Sequence, residues 1–149
     1  MRDNYEYETE LAWKGERTGT LQASGLPHLQ VTAPEEFAGT PGVWTPEQLL
    51  VGATASCVMT TFLAIAEFSS VTIRFFRTKA KGKLEKIPGE GYRFTEIHLA
   101  TEIGVIPSEA EKAKRAMAKA EKNCFISNSI RAKVNVEAVF VPVTMEAAS

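Results

Sequence analysis

The chain has 149 residues, of which 44% are hydrophobic and 23% charged, and its formal net charge is −1. That is the size and balance of one ordinary soluble domain, spanning residues 1–149. The near-neutral charge excludes the basic face that nucleic-acid or membrane-surface binding usually needs.

The polar, acidic start Met1-Arg2-Asp3-Asn4-Tyr5-Glu6 lacks the apolar stretch of a secretory signal. From Glu6 to Trp13 polar and apolar residues alternate as in a strand, and Lys14-Gly15-Glu16-Arg17 reads as a turn. Thr18 to Ala23 returns as a second strand, making a hairpin. His28 to Ala33 alternates again. Pro34 to Val43, with its prolines and Gly39 and Gly42, reads as a loop.

Thr45 is a good helix N-cap, Pro46 suits the first helical position, and Gln48 completes a capping box. The helix that follows runs to about Glu67 and is apolar nearly all round, which predicts a central buried helix. Its apolar run, Leu49 to Ala66, is long enough to raise the question of a membrane span. The small and polar residues Gly52, Ala53, Thr54, Ala55, Ser56, Thr60 and Thr61 favour a buried helix of a soluble protein instead. Ser69-Ser70 break it.

Val71 to Ile87 is strand-like, with Val71, Ile73 and Phe75 on one face, and the Lys/Arg residues between Arg74 and Lys86 read as a solvated set. Pro88-Gly89-Glu90-Gly91 is a hairpin turn, and Tyr92 to Val105 returns. Pro107-Ser108-Glu109 starts a second helix, with Ser108 as cap and Glu109 and Glu111 favouring its positive end. Ala110, Ala113, Ala116, Met117 and Ala120 form its buried stripe, and it ends near Cys124. Lys133 to Val143 is a last strand. The fold class is α+β, with antiparallel sheets and two central helices.

The chain has two cysteines, Cys57 within the apolar run and Cys124 after the charged amphipathic stretch. Any pairing between residues so far apart is made by the fold. With no export signal, two thiols point to a reducing, cytoplasmic compartment, where a disulfide is transient and catalytic. A lone cysteine in an alanine-rich helix also serves as a small buried hydrophobe. His28 and His98 stand far apart, and no C-x2-C spacing supports a zinc site.

Trp44-Thr45-Pro46-Glu47-Gln48-Leu49-Leu50-Val51-Gly52-Ala53-Thr54-Ala55-Ser56-Cys57 resembles the first cysteine motif of the OsmC/Ohr family. Asn123-Cys124-Phe125-Ile126-Ser127 resembles its second, usually Cys-Pro-x-Ser; Phe125 departs from that pattern and Ser127 keeps it. Gly15-Glu16-Arg17-Thr18-Gly19 resembles the family's short arginine-containing turn. The order of elements agrees along nearly the whole chain.

The resemblance implies an intertwined homodimer with shared active sites and a thiol-dependent peroxidase acting on organic hydroperoxides and, to some extent, hydrogen peroxide. Cys57 then matches the peroxidatic thiol and Cys124 the resolving one, with Glu47 and Arg17 matching the Glu and Arg that surround the reactive sulfur. The implied partners are a small-molecule hydroperoxide and a thiol or dithiol reductant, a lipoylated protein in the Ohr branch. Such a cycle requires no metal, flavin or haem, no nucleic acid and no membrane.

Physical chemistry agrees with these roles. A peroxide is cleaved by thiolate, and burial raises a thiol's pKa, so Cys57 requires a nearby cation. Arginine stays charged when desolvated, and it stabilises an alkoxide leaving group. The sulfenic acid formed condenses with a second thiol to a disulfide. Trp44, Phe62 and Phe125 are the candidate apolar neighbours that favour an organic peroxide. Glu47 also suits a helix N-terminus on purely local grounds, and Arg17 suits a solvated turn. A non-catalytic member of the same fold, serving as a redox sensor or binding a small apolar ligand, is the alternative; Phe125 and the brevity of the Arg17 turn keep it open.

Overall fold

The computed structural model describes residues 2–144. The chain forms two compact units, Met1–Leu50 and Val51–Ser149, and its class is α+β, with two helices and two three-stranded sheets.

In the first unit β1 (Glu10–Gly15), β2 (Thr18–Gln22) and β3 (Leu29–Thr32) form an antiparallel sheet in that order. The hairpin expected from the alternation is present, but β1 starts at Glu10, not Glu6. Its partner β2 ends at Gln22, opposite Glu10, so earlier residues have no ladder to join. The tight turn uses left-handed backbone at Gly15 (φ 112°) and Glu16 (φ 47°), and the Trp13 indole N–H donates to the Glu16 carbonyl at 2.9 Å. The following loop contains a 3-10 turn at Glu35–Phe37. Trp44 then bridges to Val31, with Thr32 N–H donating to the Trp44 carbonyl at 2.8 Å.

Helix α1 spans Pro46–Phe68 without interruption. Its start is the reciprocal capping box read from sequence: Gln48 N–H donates to Thr45 Oγ1 at 3.1 Å, and Thr45 N–H donates to Gln48 Oε1 at 3.2 Å. Its end is a left-handed Ser70 (φ 59°), with Val71 N–H closing back on the Ala66 carbonyl at 2.8 Å.

The second sheet has the order β4 (Phe75–Ile87), β5 (Gly91–Val105), β6 (Lys133–Pro142). The strand expected from Val71 begins only at Phe75. Thr72 N–H is taken by the Glu109 carboxylate at 3.0 Å, and Arg74 N–H, just before β4, donates to the Gly104 carbonyl of β5 at 2.8 Å. β4 and β5 pair antiparallel, with a bulge between Lys83 and Leu84, whereas β6 runs parallel to β5. That one departure from antiparallel pairing follows from the β5–β6 connection. It is long enough to carry helix α2 (Ala110–Asn123), and such a crossover returns the chain in the same direction.

Ser108 does not cap α2. It lies in a 3-10 turn at Pro107–Glu109 with no side-chain cap hydrogen bond, and Glu109 occupies the cap position while its carboxylate serves Thr72.

The core of this unit follows three periodicities. The buried residues of α1 are Thr54, Val58, Phe62 and Ala66, one every four residues. The central strand β5 buries every second residue, Ile97, Leu99, Thr101, Ile103 and Val105. α2 buries Ala113, Ala116, Met117 and Ala120, as its stripe predicts, and Cys124 continues that stripe with no exposed surface.

The expectation that α1 is buried all round is not met in the single chain. Ala53, Ser56, Thr60 and Ala64, on the face opposite the buried stripe, are exposed, as is Phe68 at the end of the helix. One chain offers a core to one side of this helix only.

Candidate active site

Two groups of the expected site residues assemble, one in each unit. In the second unit the two thiols meet. Cys57 lies beside the buried stripe of α1 and is half-buried; Cys124 caps the C-terminus of α2 and is buried. Both are free thiols, and each sulfur alters the ionisation of the other.

The sequence reason is local at each end. Cys57 immediately precedes Val58 of the α1 stripe, and Cys124 stands one turn beyond Ala120 of the α2 stripe, so both helices deliver their sulfur to the same core.

The surroundings treat the two sulfurs in opposite ways. Burial pushes the Cys57 thiol up. Hydrogen bonds from the Ile126 backbone N–H, the Cys124 thiol, the Thr61 hydroxyl and the Phe125 backbone N–H outweigh it and hold Cys57 below the ordinary thiol value. The Thr61 hydroxyl, one helical turn along α1, lies 3.9 Å from Cys57 Sγ. For Cys124, burial pushes the thiol up. The Ser127 hydroxyl and N–H oppose it, but donation to Cys57 and the nearness of that sulfur's charge keep Cys124 raised. Ser127 Oγ is buried and makes no hydrogen bond of ordinary geometry, so its effect on Cys124 is one of proximity.

Thr61 and the backbone of Phe125 and Ile126 were not among the residues expected from sequence. The i, i+4 spacing of Cys57 and Thr61 on a helix is the only sequence signal that points to any of them. Glu121 was also unassigned. It lines a depression of about 180 Å³ with Val58, Ser127 and Asn128, and burial raises its carboxyl.

In the first unit Arg17 and Glu47 line one groove of about 610 Å³, together with Leu11, Trp13, Val31 and Phe37. Arg17 leaves the β1–β2 turn and Glu47 stands in the first turn of α1. Glu47 Oε1 is buried without a hydrogen-bond partner. Leu11, Trp13 and Phe37 leave 63%, 76% and 42% of their surface exposed, so the groove is an apolar slot with one cation and one carboxylate. Glu47 and Cys57 belong to one continuous helix, which puts about 15 Å of helix axis between them.

Of the apolar neighbours expected, Phe62 is fully buried in the core, while Phe125 and Trp44 are exposed. His98 Nε2 pairs with Glu137 at 3.2 Å, and no cluster of metal-ligating side chains occurs among the described residues.

Residues 39–139 match the family model described as OsmC-like protein. The uncharacterized protein YmaD of Bacillus subtilis (strain 168) is 28% identical over 145 residues, covering 92% of this chain and 93% of YmaD. Among solved structures, an OsmC-like protein of unknown function from Vibrio cholerae superposes with a TM-score of 0.82 at 22% identity, covering 91% of this chain and all (100%) of the other. An organic hydroperoxide resistance protein OsmC from Legionella pneumophila superposes with a TM-score of 0.70 at 24% identity, covering 95% and 100% of the two chains.

Proposed function

Because this chain belongs to the OsmC-like protein family, we propose that it reduces hydroperoxides through a Cys57/Cys124 dithiol cycle. The observation that carries this reading is the thiol pair itself: two free cysteines at one core whose ionisations are linked, one lowered and partly accessible, the other raised and buried. The likeness to an organic hydroperoxide resistance protein supports it.

In the first step the Cys57 thiolate attacks the outer oxygen of the peroxide. The O–O bond breaks, the alkoxide leaves and takes up a proton, and Cys57 becomes a sulfenic acid. The Cys124 sulfur then attacks the Cys57 sulfur after giving up its proton. Water leaves and a disulfide forms. An external thiol or dithiol restores both thiols by exchange. The division of roles follows from the surroundings, since the sulfur with the lowered pKa is the attacking thiolate and the buried one waits behind it.

The reading includes a homodimer. α1 has apolar or small residues on all sides, yet one chain covers a single face of it; an uncovered face of that kind marks a partner surface. The partner proposed is a second copy, with Glu47 and Arg17 of one subunit serving Cys57 of the other. A side chain at the start of α1 does not reach a sulfur ten residues along the same helix. Arg17 would stabilise the departing alkoxide, and Glu47 would hold Arg17 and take the peroxide proton. The apolar walls of their groove favour an organic hydroperoxide over hydrogen peroxide.

The test is peroxide consumption by wild type and Cys57→Ser, with cumene hydroperoxide and hydrogen peroxide, and with dihydrolipoamide and then thioredoxin as reductant. Multiple turnovers that require Cys57 are expected. A single oxidation per chain under every reductant would instead identify a sensor.

A further inference from the structure

We propose that the second unit carries a binding site for a phosphate monoester, built by Lys112, Arg115 and Lys119 of α2 around a depression that Ser69 borders from the end of α1. The site is independent of the thiol chemistry.

Its basis is helix periodicity. Lys112 and Arg115 are three residues apart and Arg115 and Lys119 four, so the three side chains are neighbours on one face of α2. That face meets the residue directly after α1: Ser69, Lys112, Arg115, Ala116 and Lys119 line one depression of about 160 Å³. Ala116 is buried and contributes only a methyl group, which leaves the room between the cations open.

Like charges so placed repel one another, and the chain supplies no counter-ion. Among the described residues Lys112, Arg115 and Lys119 form no ion pair; of the four cations between 112 and 119, Lys114 alone is paired, to Glu111 at 3.1 Å. The acidic groups at the start of α2 are thus engaged elsewhere, since Glu111 holds Lys114 and the Glu109 carboxylate accepts the Thr72 N–H at 3.0 Å. Glu67 near the end of α1 and Glu121 in the last turn of α2 form no ion pair among the described residues either. Lys112 also sits in the first turn of α2, where the helix dipole disfavours a cation and favours an anion.

The C-terminus of α1 would oppose an anion here if its carbonyls were free. They are not. Ser69 N–H donates to the Ile65 carbonyl at 3.0 Å, Val71 N–H to the Ala66 carbonyl at 2.8 Å, and Ser70 N–H to the Glu67 carbonyl at 3.0 Å.

Charge and size select the ligand class. Three cations exceed the single charge of a carboxylate. They suit a phosphate monoester, which carries nearly two negative charges at neutral pH and three free oxygens. The arginine fork grips two oxygens, and each lysine acts as a point charge. The depression is smaller than the roughly 300–1,000 Å³ that encloses a drug-sized ligand, so it takes the phosphoryl end and leaves the rest of the molecule outside.

The test is titration of the 15N-labelled protein with sodium phosphate, with ionic strength held constant by sodium chloride and the backbone amides followed by NMR. Saturable shifts centred on Ser69 and on 112–119 are expected. Arg115→Gln is expected to weaken phosphate binding roughly tenfold or more, as for a lost hydrogen bond between charged groups. Arg115 is exposed, so an otherwise unchanged spectrum is expected of the variant. Lys112→Gln combined with Lys119→Gln is a second variant with the same expectation. Shifts that do not saturate, shifts scattered over other surface cations, or wild-type affinity in both variants overturn the proposal. Sedimentation with phosphatidylcholine vesicles containing phosphatidic acid separates the two sources of the group. Co-sedimentation abolished by Arg115→Gln identifies a lipid headgroup; none, beside saturation by phosphate, identifies a soluble phosphate ester.

Discussion

Cys57 and Cys124, carried by helices far apart in the chain, come close enough that each sulfur alters the ionisation of the other. The two are not interchangeable, because their surroundings lower the Cys57 thiol and raise the Cys124 thiol. In the proposed cycle this asymmetry sets the order of chemistry. Cys57→Ser is expected to abolish peroxide reduction. Cys124→Ser is expected to keep one stoichiometric oxidation, to block turnover, and to speed over-oxidation of Cys57 to sulfinic acid. Intact-mass spectrometry after a single addition of peroxide checks both, and sulfenic acid appearing first on Cys124 would reverse the roles.

The same asymmetry has a pH signature. A thiol held below its ordinary pKa is already partly thiolate at a pH where an ordinary thiol is protonated, and a raised thiol is not. Alkylation at neutral pH is therefore expected at Cys57 well before Cys124, the gap closing as pH rises through the ordinary thiol range. Peptide-resolved labelling over a pH series reads this directly. Thr61→Val, which removes the hydroxyl 3.9 Å from Cys57 Sγ, is expected to move the Cys57 profile toward higher pH.

The continuity of α1 bears on whether the site is shared. A break near Gly52 would have let Glu47 fold back toward Cys57 in the same chain, and the helix has no such break. Mixing an inactive Cys57→Ser chain with an inactive Glu47→Ala chain is expected to restore part of the activity, since in the proposed dimer one site per heterodimer then holds both wild-type residues. No rescue in heterodimers verified by mass, or full activity in a monomer, would rule the shared site out.

Two substitutions test the scaffold. Thr45→Ala removes the cap that serves Gln48 N–H and is expected to cost about 1 kcal/mol. Phe62→Ala opens a void in the core. Phe62 has no exposed surface and packs at a tilt against Phe76 with ring centroids 5.8 Å apart, so a loss of about 3–5 kcal/mol is expected. Urea unfolding of both variants measures these losses, and the ranking of the two is the sharper expectation.

The sequence by itself determined what depends on neighbours in the chain. Thr45, Pro46 and Gln48 specify a helix start because capping is a contact between residues three apart. The alanine stripe of α2 and the Pro88–Gly91 turn are local in the same sense, and the two cysteine motifs could be read for the same reason. Only the tertiary structure decided that β6 runs parallel to β5, because strand direction is set by where the α2 crossover returns the chain. It also decided that Thr72 stays out of the sheet, since a carboxylate 37 residues away takes its N–H. At the thiols the same division holds. Composition placed Cys57 on an apolar helix, where burial alone would raise its pKa. The lowering comes from the Ile126 N–H, the Cys124 thiol, the Thr61 hydroxyl and the Phe125 N–H together, and the fold alone brings these groups to one sulfur.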